Sequence, residues 1–156
     1  MDMVTMNILD STMVSICREM GISLMKTSYS TIFNEGLDFT CALADTNGDM
    51  IAVAEFCPAQ IGGMPLLIKT CAEEFPIDTL DEGDVIIHND PYRGGLHVPE
   101  HTLFKPFFHN GQPLGYLVCI GHIAEVGGMV PGGFAGEATE IFHEGLRVPP
   151  IKIKKA

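Results

Sequence analysis

Residues 104–120 read FKPFFHNGQPLGYLVCI, which is two apolar runs separated by a short polar turn. The Asn110-Gly111 dipeptide in that turn is typical of a tight β-hairpin, because both residues tolerate a positive φ. The second run ends in a continuous apolar stretch, as in strands that are buried on both faces. We therefore predict a hairpin of two strands, 104–108 and 114–120, within a covered sheet.

A second hairpin is predicted upstream, where apolar segments 39–44 and 50–54 flank a polar turn that contains Asn47-Gly48. Before it, apolar residues recur at helical spacing and predict a helix over residues 3–25. These residues are Leu9, Met13, Ile16, Met20 and Leu24.

Between the two hairpins, residues 64–75 carry Pro65 near a first turn and an apolar stripe, a pattern that predicts a helix. The polar turn at 80–84 leads into a predicted strand at 85–87. The expected fold class is α/β of the mixed α+β kind. An N-terminal helix is followed by β-hairpins and buried strands, with glycine-rich loops at the site.

The composition limits the kinds of partner that this chain is expected to bind. Its 156 residues are 46% hydrophobic, which suits one domain with a core. The formal net charge of −11 argues against a nucleic-acid partner, because phosphate binding needs clustered cations. The basic residues Lys152, Lys154 and Lys155 are interpreted as a frayed tail or a cut end.

The cysteines and the lack of long apolar segments bear on location. The five cysteines form no CxxC pair, so we expect reduced thiols and a cytoplasmic protein. No apolar stretch reaches the roughly 18–20 residues that a membrane span needs, and no membrane partner is expected.

Residues 127–136 read GGMVPGGFAG and are too rich in glycine to form a core element. Two interpretations remain open, a flexible linker or an ordered loop whose backbone approaches a ligand. The absence of charge and the presence of Met129 and Phe134 favour the ordered loop.

Two histidines lie among acidic residues and beside glycine-rich turns. His97 follows Gly94-Gly95, with Asp90 upstream, while His122 follows a buried apolar run and has Glu125 three residues further on. Imidazole and carboxylate groups brought together in this way are typical of a divalent-cation site. The sequence therefore predicts a metal-centred site around His97 and His122.

Each of these residues also has a purely structural interpretation. Asp90 can cap an Asx turn before Pro91, and Glu125 can be a solvated carboxylate beside a His122 that bonds to the backbone. Asp38, which lies where a loop enters the first predicted strand, carries little weight alone.

Other types of active site have no motif in this chain. It lacks the G-x-S-x-G elbow, the phosphate loop G-x-x-x-x-G-K-[ST] and a G-x-G-x-x-G turn after a strand. We therefore expect no ATP binding in a phosphate loop by this chain alone. Cys57 has no recognisable histidine partner, which favours an inert cysteine over a nucleophile.

Several motifs in register resemble one known family. They include Asn89-Asp90-Pro91-Tyr92-x-Gly94-Gly95-x-His97, Val126-Gly127-Gly128-Met129-x-Pro131-Gly132 and the segment TEIFHEGLRVPP at 139–150. On these residues the chain resembles the hydantoinase B/5-oxoprolinase family from about residue 3 to residue 152. Family polypeptides run to several hundred residues, so residues 1–156 look like the N-terminal part of a metal-binding catalytic subunit.

The resemblance implies an enzyme that works with an ATP-using partner of the hydantoinase A type. The partner phosphorylates a carbonyl oxygen of a small cyclic amide or of a ketone enolate, and the B-type subunit completes ring-opening hydrolysis. The family's metal-ligand positions match Asp38, His97, His122 and Glu125, which implies Mn²⁺ or Zn²⁺ at these residues. A catalytic role follows for His97, His122 and Glu125.

The chain departs from the family pattern at a few positions. His122-Ile123-Ala124-Glu125 stands where His-His-Ala-Asp is usual, Val98-Pro99-Glu100 replaces Leu-Pro-Asp, and Gln60 replaces a frequent histidine. A divergent subgroup with another substrate explains these changes, because the glycine framework is intact. Two alternatives are a subunit of an acetone or acetophenone carboxylase-like ligase, and a non-catalytic remnant that only binds its partner.

Overall fold

The computed structural model describes residues 2–154 and contains three α-helices and six β-strands among them. The elements in chain order are α1 Met3–Thr27, α2 Thr31–Asn34, β1 Phe39–Ala44, β2 Met50–Val53, α3 Pro58–Glu74, β3 Val85–His88, β4 Glu100–His109, β5 Gln112–His122 and β6 Ile151–Lys154. Short 3₁₀ turns lie at 77–79, 91–93 and 141–143.

The strands form one sheet in the order β2-β1-β5-β4-β3-β6, and every neighbouring pair is antiparallel. Helices α1 and α3 pack on opposite faces of its β1–β2 side, which explains why all six residues of β1 are buried. This architecture confirms the mixed α/β class and the order of an N-terminal helix followed by hairpins.

The core is divided by the sheet into two clusters. The cluster on the α3 side is the larger, and it includes Met64 and Ile68 of the helix packed over Phe104 and Tyr116 of the strands. The Phe104 and Tyr116 rings stack with centroids 4.3 Å apart. On the α1 side, Cys17 packs in a smaller cluster.

The amphipathic helix is longer than predicted and only its second half is packed. Residues 2–12 are exposed, and Leu9 of the predicted stripe retains 46% of its accessible surface. The buried residues of α1 are Cys17 and Gly21, where a Cβ on Gly21 would lie 2.2 Å from the Phe56 ring. The close contact with Phe56 therefore depends on this glycine.

The hairpin predicted over residues 104–120 is confirmed, with both strands longer than predicted. Asn110 and Gly111 have φ values of 50° and 75°, as their tight turn requires. Strand β4 begins at Glu100 and β5 ends at His122. These ends carry charged or polar residues, so an apolar pattern alone does not extend the strands to them.

Helix α3 begins at Pro58, six residues before its predicted start, and Pro65 lies in its interior. The pair Gly62-Gly63 inside it hides the helical pattern. A Cβ on Gly63 would lie 2.3 Å from Leu96, so this glycine lets the loop that carries His97 approach the helix.

The expectation of a frayed tail at Lys152 and Lys154 is wrong. Residues 151–154 form β6, which pairs with β3 at the edge of the sheet. Lys152 Nζ lies 2.6 Å from Oδ2 of the fully buried Asp84, and this ion pair fastens the strand. Lys155 lies outside the described residues.

No helix within residues 2–154 is both long and apolar enough to cross a lipid bilayer.

Gly94→Ala and Gly111→Ala provide a matched test of how the loop that carries His97 packs against α3. Both glycines have a positive φ, 88° and 75°, but a Cβ at position 94 would lie 2.8 Å from the Leu67 Cα, whereas position 111 is open. We expect a loss of about 1 kcal/mol for Gly111→Ala, from backbone strain alone. Gly94→Ala should lose about 3 kcal/mol, because overpacking adds to the strain.

Urea denaturation of both variants measures these changes in the free energy of unfolding. Equal losses of unfolding free energy in the two variants would show that the loop is not closely packed against α3 at Gly94.

Candidate metal centre

Antiparallel pairing brings three strand ends to one corner of the sheet. Asp38 directly precedes β1, His122 is the last residue of β5 and Glu100 is the first residue of β4. Glu100 pairs with His122 in the β4–β5 register, and the His122 backbone N–H donates to the Asp38 carbonyl at 3.0 Å. His97 joins them from the loop before β4, where its carbonyl accepts from the Glu100 N–H at 3.0 Å.

The side chains at this corner converge. His97 Nε2 lies 3.6 Å from Glu100 Oε1, and His122 Nδ1 lies 3.8 Å from Asp38 Oδ2. The two imidazole rings have centroids 5.0 Å apart. Ligand-type atoms of His97, Glu100 and His122 all lie within 4.8 Å of one another, an arrangement that can hold a metal ion.

Gln60 supports the two carboxylates from helix α3. Its fully buried Nε2 donates to Asp38 Oδ1 at 3.0 Å and to Glu100 Oε1 at 2.9 Å. One amide therefore satisfies an oxygen of each acid and holds both in a fixed orientation. The replacement of a family histidine by Gln60 thus leaves a polar group at the centre of the cluster.

Among the described residues, Glu100 Oε2 is buried without a hydrogen-bond partner. Glu100 as a whole is only 4% exposed, so water screens this oxygen poorly. A buried carboxylate oxygen that lacks a partner is costly, and a bound cation would satisfy it. The residues present therefore suit a divalent cation held by nitrogen and oxygen ligands.

The protonation of His122 also suits a ligand. Burial lowers the pKa of His122, and the charge of nearby His97 lowers it further, whereas Asp38 and Glu100 oppose the shift. A lowered pKa keeps the imidazole neutral, which is the form that coordinates metal ions.

The glycine-rich segment 127–136 lies against this cluster. The Phe134 ring stacks on His122 with centroids 5.7 Å apart and an interplanar angle of 8°, and its centroid lies 5.9 Å from that of His97. A pocket of about 320 Å³ opens beside them, lined by His97, Gly133, Phe134, Ala135, Gly136 and Glu144. This placement agrees with the ordered loop rather than the flexible linker.

Glu125 is not brought into this cluster. It is exposed, and its Oε1 accepts from the backbone N–H groups of Val126 at 2.8 Å and Gly127 at 2.7 Å. These hydrogen bonds fix the start of the glycine-rich segment and lower the pKa of Glu125. The acid that lies beside His97, at 3.6 Å, is instead Glu100, which the sequence prediction did not include among the ligands.

For Asp90 and Cys57, the structure favours a structural role over a chemical one. Asp90 Oδ1 accepts from the Tyr92 N–H at 3.0 Å, and its carboxylate faces Arg93 and Arg147 at 3.6 and 3.8 Å. It therefore caps a turn. Burial and the adjacent Asp38 carboxylate raise the pKa of the Cys57 thiol, which disfavours a nucleophilic thiolate.

Glu100 had a signal in the sequence. The signal is the spacing His97-x-x-Glu100. Glu100 lies beside His122 because the two residues pair between β4 and β5, but that register follows only if β4 begins at residue 100. Gln60 gave no signal from the residues alone, because it lies in a part of α3 where two glycines interrupt the apolar pattern.

Residues 2–156 match the model of the hydantoinase B/oxoprolinase family. The chain therefore belongs to this family, in agreement with the resemblance of its motifs.

Individual relatives extend the comparison. The chain is 38% identical to the caprolactamase β subunit of Pseudomonas jessenii over 97% of its own length and 26% of that protein. It is 34% identical to 5-oxoprolinase 1 of Arabidopsis thaliana, with 97% of the chain and 12% of that protein covered. The chain thus spans about a quarter or less of these relatives.

Two solved structures share the fold. The crystal structure of the ATP-dependent caprolactamase from Pseudomonas jessenii superposes with a TM-score of 0.86 and 38% identity over 97% of this chain and 26% of that one. Nucleotide-free acetone carboxylase gives a TM-score of 0.82 at 21% identity, with 96% of this chain and 20% of that chain covered. The second match shows likeness of fold alone.

Replacement of Gln60 tests how the two carboxylates are held. In metal-free protein, Gln60→Leu should lower the free energy of unfolding by about 2 kcal/mol, because the buried Glu100 and the partly exposed Asp38 each lose a hydrogen bond to their charge. The matched control is Gln112→Leu at the exposed start of β5, which should change it by under about 0.5 kcal/mol. Urea denaturation provides both values, and an unchanged Gln60→Leu protein would mean that the amide does not hold the acids.

Proposed function

We propose that this chain is the metal-binding part of an ATP-dependent hydrolase of cyclic amides, of the hydantoinase or 5-oxoprolinase type. It would act with a hydantoinase A-like subunit that binds and uses ATP. The observation that carries the proposal is the convergence of His97, Glu100 and His122, with an unsatisfied buried carboxylate oxygen, in a chain that belongs to this family.

The proposed ligands are Asp38, His97, Glu100 and His122. Asp38, Glu100 and His122 lie at strand ends that backbone pairing fixes. The separation of these three residues therefore does not depend on a mobile loop. Bound Mn²⁺ or Zn²⁺ would supply Lewis acidity toward an oxygen of the phosphorylated substrate, or a more acidic bound water. The earlier prediction that Glu125 is a ligand and a catalytic group stays a prediction.

The other residues of the site would prepare it for chemistry. Gln60 would hold the Asp38 and Glu100 carboxylates apart and in fixed orientation, since it donates to both. Phe134 would restrict water at the imidazoles, because its ring stacks on His122 and lies beside His97. The substrate would enter the pocket bounded by His97, Phe134 and Glu144, where a small cyclic amide fits within about 320 Å³.

ATP enters this proposal only through the partner. The chain has no phosphate-loop motif, and the relative from Pseudomonas jessenii bears the name of a β subunit, which supports a division of labour between chains. The free thiols among the described residues suit a reducing compartment, so the proposal includes a cytoplasmic location.

Two alternatives are weaker on specific grounds. A carboxylase-like ligase has support from a likeness of fold at 21% identity, against 38% for the caprolactamase. A non-catalytic remnant gives no reason for a buried carboxylate that lacks a hydrogen-bond partner, since burial of such a group is costly.

The pair Glu100→Gln and Glu125→Gln separates the two candidate acids by metal content. Glu100→Gln should reduce bound Zn²⁺ or Mn²⁺ by at least about tenfold, because it removes a charged oxygen from the cluster. Glu125→Gln keeps an oxygen that can accept from Val126 and Gly127, so it should retain full metal content. Elemental analysis after dialysis measures both.

The reverse result, with metal lost in Glu125→Gln and retained in Glu100→Gln, would make Glu125 the ligand. Circular dichroism of each metal-free variant controls for loss of the fold.

The activity is tested with the full chain and a hydantoinase A-like subunit together. Cyclic amides such as hydantoins, 5-oxoproline and caprolactam should stimulate ADP release, and His122→Ala should abolish the stimulation. ADP release with acetone that requires bicarbonate would instead identify a carboxylase. A complex that assembles without metal or any substrate response would identify the remnant.

A further inference from the structure

Cys41 and Cys119 face each other across strands β1 and β5 and are not members of the candidate metal cluster. They are direct partners in the antiparallel register, and the Cys41 thiol donates to Cys119 Sγ at 3.4 Å. None of the described cysteines is in a disulfide. We infer that this pair is a redox site, which forms a cross-strand disulfide when a hydroperoxide oxidises it.

The backbone hydrogen bonds show that the pair has the required spacing. The Cys41 carbonyl accepts from the Ala54 N–H on the β2 side, whereas the Asp38 carbonyl accepts from His122 on the β5 side. Because these directions alternate along a strand, Cys41 and Cys119 form a non-hydrogen-bonded pair, whose Cα atoms lie about 4.5 Å apart. A disulfide requires roughly 4.4–6.8 Å, so the backbone need move little.

An oxidant can reach the pair from one side. A groove of about 470 Å³ runs between α1 and the sheet, lined by Ile16, Glu19, Met20, Ser23, Cys41 and Cys119. Cys41 is fully buried by its own neighbours, whereas Cys119 is only partly buried. Cys119 is therefore the sulfur that meets the oxidant first.

The hydrogen bond between the two thiols shifts their pKa values in opposite directions. The hydrogen bond from the Cys41 thiol stabilises a charged Cys119 sulfur and lowers the pKa of Cys119. The same bond, together with burial, raises the pKa of Cys41. Because Cys119 is the more exposed of the two sulfurs, it is the attacking thiol and Cys41 is the resolving one.

The oxidation balances with a hydroperoxide as the only co-reactant. The Cys119 sulfur attacks one oxygen of hydrogen peroxide, the O–O bond breaks, and the hydroxide formed takes the Cys119 thiol proton and leaves as water. The Cys41 sulfur then attacks the sulfenic sulfur, the S–O bond breaks, and hydroxide leaves with the Cys41 proton as a second water. Two electrons pass from the sulfurs to the peroxide, and a dithiol reverses the bond by exchange.

The position of the bond connects it to the metal centre. Cys41 lies three residues after Asp38, and Cys119 lies three residues before His122. A disulfide would therefore fix the β1–β5 register close to the point where these two side chains meet. Disulfides in reducing compartments are commonly transient and redox-sensing, and this pair fits that use.

The test treats the full chain, first reduced, with dilute hydrogen peroxide and compares it with untreated protein. We expect the intact mass to fall by about 2 Da, through loss of two hydrogens, and dithiothreitol to restore it. Proteolysis without reduction should yield a linked peptide pair that contains Cys41 and Cys119. Because the bond closes a long loop, the oxidised protein should melt at a higher temperature than the reduced protein.

Variants identify the sulfurs. Cys119→Ala should abolish the linked peptide, whereas Cys71→Ala, a fully buried cysteine on the α3 side of the sheet, should retain it. The proposal is overturned if alkylation shows both thiols still free after peroxide, or if Cys41 links to Cys17 instead. It is also overturned if the bond forms but lowers the melting temperature, since the native register would not accommodate it. The mass, alkylation and melting readouts come from the wild-type chain, so they test the proposal even if a variant fails to fold.

Discussion

The antiparallel ladder of β1, β5 and β4 is the constraint on which the candidate site depends. Backbone hydrogen bonds fix the start of β1 beside the end of β5, and the end of β5 beside the start of β4. Asp38, His122 and Glu100 are distant in the sequence, yet they meet because each lies at one of these strand ends. Any slip of register by one residue would turn alternate side chains to the opposite face and disperse the cluster.

The second constraint is the loss of solvent around the Asp38 and Glu100 carboxylates, which the hydrogen bonds from Gln60 largely offset. A buried carboxylate without partners is unfavourable, and two of them side by side repel each other. Gln60 donates to one oxygen of Asp38 and one of Glu100, while the remaining Glu100 oxygen is buried without a partner. This unsatisfied oxygen, rather than the presence of acids alone, is what a cation at this corner would complement.

The glycines determine how the loops reach the site. Gly63 and Gly94 allow the loop that carries His97 to lie against α3, where a Cβ at either position would meet Leu96 or the Leu67 backbone. Gly133, with a φ of 73°, lies against Pro99 and directs Phe134 toward the imidazoles. The glycine-rich segments of this family member are thus ordered parts of its architecture, and close packing explains them better than flexibility does.

The sequence by itself determined the hairpins, the class of fold, the family and the two histidines, because alternating or continuous apolar runs, Asn-Gly turns and local motifs are short-range signals. It predicted the start of α3 six residues late, treated the edge strand β6 as a tail, and did not select Glu100 or Gln60 for the candidate site. Only the tertiary structure decided these, since an interior proline and glycines mask a helix, and a strand at an edge needs its partner to be recognised. Which acid lies beside a histidine is likewise set by strand register, and register is a long-range property that local spacing does not contain.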